Sequence, residues 1–171
     1  MYLLLTTALL ATAPIAADPP AERFDQARDK ETQRTMLAAF STAREAVSRM
    51  YNWASAGVTL DRAATQEHAG EVIQRLQAAQ TTWDGMVKGW SAPETGAVQA
   101  EARAIREAFA SATGAATRLT AEASAASPNR VEVRWLTSEI YSALALAHER
   151  QAVIGQKLGI TPDERPKTRA R

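Results

Sequence analysis

Few residues in this chain have types and spacings that could do chemistry. It has two histidines, His68 and His148, and no cysteine. Lack of a thiol excludes disulfides, thiolate catalysis, zinc fingers, iron–sulfur clusters and covalent c-type haem. A di-iron site in a helical protein needs Glu-x-x-His on two helices, but Thr65 and Ala145 stand three residues before the two histidines. The zinc-protease spacing His-Glu-x-x-His also fails, since His148-Glu149 is followed by Ala152. Non-covalent haem could draw on Met36 and His148, which fall at similar heights in the fold derived below, but Met36 reads more simply as core filler. There is no Gly-x-Ser-x-Gly and no phosphate-cradling glycine loop. Carboxylates such as Glu67, Glu71 and Glu101 share helix faces with arginines and read as solvated charge. The expectation is a non-enzymatic protein without a cofactor, its histidines facing solvent on helix flanks.

The elements that carry these residues are helical. Alanine supplies 37 of 171 residues, and it is the best helix former because it loses no side-chain entropy. Hydrophobic residues make 46% and charged residues 23%, a globular balance. The formal net charge of +1 lacks the basic excess that phosphate contacts need, so no nucleic-acid partner is expected.

Turn signals at Gly57-Val58-Thr59, Trp90-Ser91-Ala92-Pro93, Ser127-Pro128-Asn129 and Gly159-Ile160-Thr161-Pro162 cut the chain into four segments. Three keep seam residues at alternating steps of three and four and the fourth repeats one step of four, the pattern of a left-handed bundle. The seams run Met36, Phe40, Ala43, Val47, Met50, Ala54; then Ala69, Val72, Leu76, Ala79, Trp83, Met86, Trp90; then Val98, Ala102, Ile105, Phe109, Ala112, Ala116, Leu119, Ala123; and last Val133, Leu136, Ile140, Leu144, Ala147, Gln151, Ile154, Leu158. Short links between long helices make neighbours antiparallel, so the predicted fold is all-α, an up-down-up-down four-helix bundle with left-handed heptad packing. That register opposes residue 148 to about residue 38 and brings Ala102 near Ile154. Thr59 or Asp61 is predicted to cap the second helix, Ser91 the third with Pro93 and Glu94 in its first turn, and Asn129 the fourth with Glu132 completing a capping box.

Ahead of the bundle, residues 2–17 carry no charge, and residues 3–13 are apolar apart from three threonines. This stretch is too short to span a membrane and fits a secretory signal cut after Ala17, although no Lys or Arg precedes it. Residues 1–17 are thus read as a signal peptide, 18–164 as the bundle and 165–171 as a disordered basic tail. The mature chain is expected in the periplasm or outside the cell, not spanning a membrane. Arg165, Lys167, Arg169 and Arg171 give the tail four positive charges, able to touch an anionic surface weakly.

Positions that break the seam pattern point to function. Traced backward from Met36, the first seam meets Gln33, Asp29 and Gln26, where the other segments offer large apolar residues. Either Phe24 folds over that end and bulky Trp side chains fill the space, or a groove remains, lined by Trp83, Met86, Trp90, Val98, Ile154 and Leu158, with Gly85 and Gly89 permitting close approach. A protein partner or a second copy could fill it; alternatively the interior could carry an apolar ligand or haem. At the opposite end Tyr51, Trp53 and Trp135 lie beside the seams as a candidate aromatic patch.

Overall fold

The structure, a computed structural model, describes residues 26–56 and 59–160. The described residues are helical, with no strand. Five helices pack together: α1 (Gln26–Ala56), α2 (Arg62–Lys88), α3 (Ala92–Ala97), α4 (Gln99–Ala123) and α5 (Arg130–Lys157). None is long and apolar enough to cross a membrane. The helix α1 packs on α2 and α5, and α4 packs on the same two. Cross-helix pairs run in opposite directions along each contact. Arg49 and Trp53 of α1 meet Glu71 and His68 of α2. Glu101 and Arg118 of α4 meet Lys157 and Glu139 of α5.

The seams account for the core. All six residues of the first and all eight of the third are buried, as are all but Trp90 of the second and all but Leu158 of the fourth. Phe40 of α1 stacks on Phe109 of α4 across the middle, with ring centroids 5.6 Å apart. Small side chains opposite large ones let the helices close at interior density.

Local signals set the helix ends. The Asp61 carboxylate accepts the Ala64 N–H at 2.8 Å and starts α2. Ser91 starts α3, where its backbone N–H donates to the Glu94 carboxylate. The Asn129 side chain accepts the Val131 N–H at 2.9 Å and starts α5. Here one expectation is corrected. The acid that receives the Asn129 backbone N–H is Glu122, from the end of α4, not Glu132. The third segment is also not one helix. It breaks at Val98 (φ −117°, ψ 15°), which turns its side chain fully inside while residues 95–97 stay exposed. Gly159 closes α5 with φ +68°. The Ile160 N–H reaches back to the Gly155 carbonyl at 2.7 Å and the Gly159 N–H to that of Gln156 at 3.1 Å. That double return is a Schellman motif, which needs the left-handed conformation glycine adopts freely.

The expected signal segment, Phe24, the Gly57-Val58 turn and the tail with Arg165, Lys167, Arg169 and Arg171 lie outside the described residues.

Candidate functional site

Four of the six residues expected to line a groove are core residues: Trp83 (1% exposed), Met86, Val98 and Ile154. Trp90 and Leu158 are half-buried against that core. The Trp90 ring meets Trp83 edge-on, with centroids 5.6 Å apart. What fills the space is the polar residue that suggested the gap. Gln33 is buried, and its Nε2 donates to the Gln151 carbonyl oxygen at 3.0 Å. The Gln151 amide donates back to Gln33 Oε1 and touches Met86 Sδ at 3.5 Å. These bonds offset most of the cost of burying two amides, leaving the Gln151 side-chain oxygen without a partner. The close approach occurs at Gly155, not at Gly85 or Gly89. A Cβ on Gly155 would stand 2.8 Å from Gln33 Nε2 and 3.0 Å from the Ile160 carbonyl oxygen, whereas one on Gly85 would meet nothing within 4 Å. On the surface between α1 and α2 this end shows an open depression edged by Thr35, Thr82 and Gly85.

The aromatic residues at the opposite end do not form one patch. Tyr51 turns toward α5, where its hydroxyl accepts from Arg134 at 3.0 Å. Trp53 turns toward α2 and packs against His68 at 5.0 Å. Trp135 turns toward α4, where the Arg118 guanidinium covers its ring at 4.8 Å. Residues two apart on a helix point almost oppositely, which separates Tyr51 from Trp53.

Both histidines are half-buried, not solvent-facing. The His148 ring sits 6.2 Å from that of Phe40, and its Nδ1 lies 3.2 Å from Arg44 Nη1. A guanidinium can only donate, so Nδ1 must be unprotonated there. Burial, and secondarily the Arg44 charge, push the His148 pKa below its ordinary value. Met36 is wholly buried. Glu101 is buried beside Lys157, whose Nζ donates to it at 2.9 Å; this bond holds its carboxyl below the usual range.

Sequence reasoning missed a slot between the outer faces of α1 and α5. Its walls come from Val47, Ser48, Tyr51 and Asn52 on one side and Thr137, Ser138, Tyr141 and Ser142 on the other. Two arginines flank it. Arg44 of α1 donates to the Tyr141 hydroxyl at 2.6 Å and lies over that ring; Arg134 of α5 donates to the Tyr51 hydroxyl and lies over that ring in turn. The signal that could have found it is a short repeat. Arg44, Ser48 and Tyr51 recur at the same spacing as Arg134, Ser138 and Tyr141. Because α1 and α5 are antiparallel, the two copies face each other, and each arginine meets the other copy's tyrosine.

A second open feature lies between α4 and α5. Val131 (69% exposed), Trp135 (51%) and Leu146 (40%) form a stripe on α5. Beside it runs a shallow trough whose floor includes Ala104, Ala108, Ser111 and Ala143. No group of three or more His, Cys, Asp or Glu side chains among the described residues could hold a metal ion. The class these features define, among the described residues, is an all-helical protein with a closed apolar core and open surfaces between helices. No family model, curated protein or solved structure matches the chain.

Proposed function

We propose that this chain is an exported up-down-up-down four-helix bundle, left-handed in its heptad packing, that acts by binding a protein partner in the cell envelope, not by catalysis. The observation that carries the reading is the α5 stripe. Seam residues are withdrawn from water almost completely, yet Val131, Trp135 and Leu146 stay outside beside a floor of small side chains. Trp135 and Leu146 are eleven residues apart, about 17 Å along the helix, which suits the apolar face of an amphipathic partner helix. The uncharged N-terminal stretch supports export. The alternative of an interior carrier for an apolar ligand or haem draws no support from a core in which the Gln33–Gln151 pair occupies the gap.

A photo-crosslinking side chain at Trp135, introduced in the native envelope, tests this. One defined species should be captured there and lost when Leu146→Glu is added. A captured mass of twice the chain identifies the partner as a second copy, which sedimentation of the purified protein should reproduce. Capture unaffected by Leu146→Glu overturns the surface. Recovery from cells of a chain that keeps Met1, in place of one starting at Asp18, overturns export.

A further inference from the structure

The slot between α1 and α5 is rich in donors and poor in negative charge. Neither Arg44 nor Arg134 has a carboxylate partner among the described residues, in contrast to Arg49, Arg103 and Arg118. Each guanidinium is instead held by a phenol through a hydrogen bond and through the ring face, and Arg44 also by His148 Nδ1, which fixes its direction without neutralising its charge. The Nε of each is buried and unpartnered, so only the Nη ends remain for a ligand. Each phenol oxygen that accepts from arginine keeps its own proton to donate. The hydroxyls of Ser48 and Ser138 stand between the two ends. The Arg134 guanidinium holds the Tyr51 hydroxyl below its ordinary pKa, which makes it a stronger donor.

The spacing is set by the helices. Arg44 stands level with Tyr141, and Arg134 with Tyr51; seven residues separate the two levels on either helix, about 10 Å. The space between is about 410 Å³, the size of a small-molecule site. Val47 adds an apolar side chain to its wall. We propose that this slot binds a linear small-molecule dianion, an α,ω-dicarboxylate whose two carboxylates meet Arg44 and Arg134 at opposite ends and whose methylene chain lies along the wall between them. Guanidinium–carboxylate contacts at both ends reward the ligand whose length matches the arginine separation. The site does not depend on the partner surface between α4 and α5 or on export.

Isothermal titration of the full purified chain with succinate, suberate, azelate and octanoate reads the proposal. Suberate or azelate should bind at least about tenfold more tightly than succinate, which is too short, and than octanoate, which has one charge. Arg44→Gln and Arg134→Gln should each remove that advantage, while Arg103→Gln on α4 should preserve it. Octanoate binding as tightly as suberate overturns the proposal, as does the absence of heat from every probe at millimolar concentration. So does a length preference that survives in the double arginine variant. If the arginine variants lose their helical circular dichroism, Tyr51→Phe and Tyr141→Phe decide. Each removes one donor and leaves the ring in place, so each should weaken suberate without affecting octanoate, and unchanged suberate binding in both overturns the assignment. Failure of these titrations leaves the crosslinking result at Trp135 untouched.

Discussion

The contact between α1 and α5 holds polar groups in two regions, and they differ in what surrounds them. At one end Gln33 and Gln151 are buried, neutral and bonded to each other, with Met86 and Gly155 closing around them. At the other, Arg44, Tyr141, Tyr51 and Arg134 stand partly in water, two of them charged, with open space between them. Both regions interrupt apolar faces of the same two helices. The difference lies in charge and enclosure. A buried, neutral amide pair bonded to each other fixes the register of two helices, as a buried polar residue can in a coiled coil, even though the Gln151 side-chain oxygen has no partner. Guanidiniums lacking a carboxylate retain capacity for a ligand.

The largest effect expected from breaking this contrast is at Trp83. If the glutamine end is closed, Trp83→Ala should cost about 3–5 kcal/mol in chemical denaturation, because a cavity forms in packed surroundings. A loss below about 1 kcal/mol would mean the ring faced open space, and both ends of the contact would then be solvent-accessible. Next comes the pair itself. Gln33→Leu should cost about 1–3 kcal/mol by stranding the Gln151 amide, and adding Gln151→Leu should recover most of that loss. Additive losses would show that the two amides do not act as a unit. Gly155→Ala should also destabilise, by about 1–3 kcal/mol, since its new methyl group meets Gln33 and a backbone carbonyl. Gly85→Ala has free space around it and should stabilise by up to about 1 kcal/mol, as measured by thermal melting.

The fold was legible where burial alone decides it. The three–four rhythm marks positions that must leave water, so helix type and seam membership followed directly from residue spacing. Antiparallel register followed from the short links, and it places Phe40 opposite His148, within about one turn of the expected residue 38. The glutamines were legible as a break but not as a pair. A polar residue in a seam signals either an opening or a partner, and spacing within one helix cannot say which. Gln151, already placed in the fourth seam, was the matching half. The Arg–Tyr slot was missed for a different reason. Its residues lie off the seams, where apolar periodicity carries no information, and only a comparison of residues 44–52 with residues 134–142 exposes the repeat. The break at Val98 lacked a Pro or Gly at the break itself, and the Glu122 contact is tertiary, spanning the loop from the end of α4.

The smallest effect concerns His148, which joins the two regions because it packs on Phe40 and accepts from Arg44. Its pKa in the folded chain is lowered, first by burial and then by Arg44. A histidine depressed in this way binds fewer protons folded than unfolded, in the window between its lowered value and the ordinary value of about 6.5. Stability should therefore be full above that ordinary value and decline as pH falls through the window. Protonation would place a cation against the Arg44 guanidinium and remove the acceptor that orients it. His148→Gln retains a carbonyl that can accept from Arg44 and does not titrate, so its melting temperature should lose the part of the decline that belongs to the imidazole. Equal pH dependence in the two proteins would show that the imidazole does not cause the decline; Glu101, whose pKa Lys157 holds low, gives up its stabilisation only as pH falls below the ordinary carboxylate value of 4.5. The same variant sharpens the contrast between the two regions. If Arg44 depends on His148 for its direction, the preference for suberate over octanoate should weaken as His148 protonates, and it should persist across that window in His148→Gln.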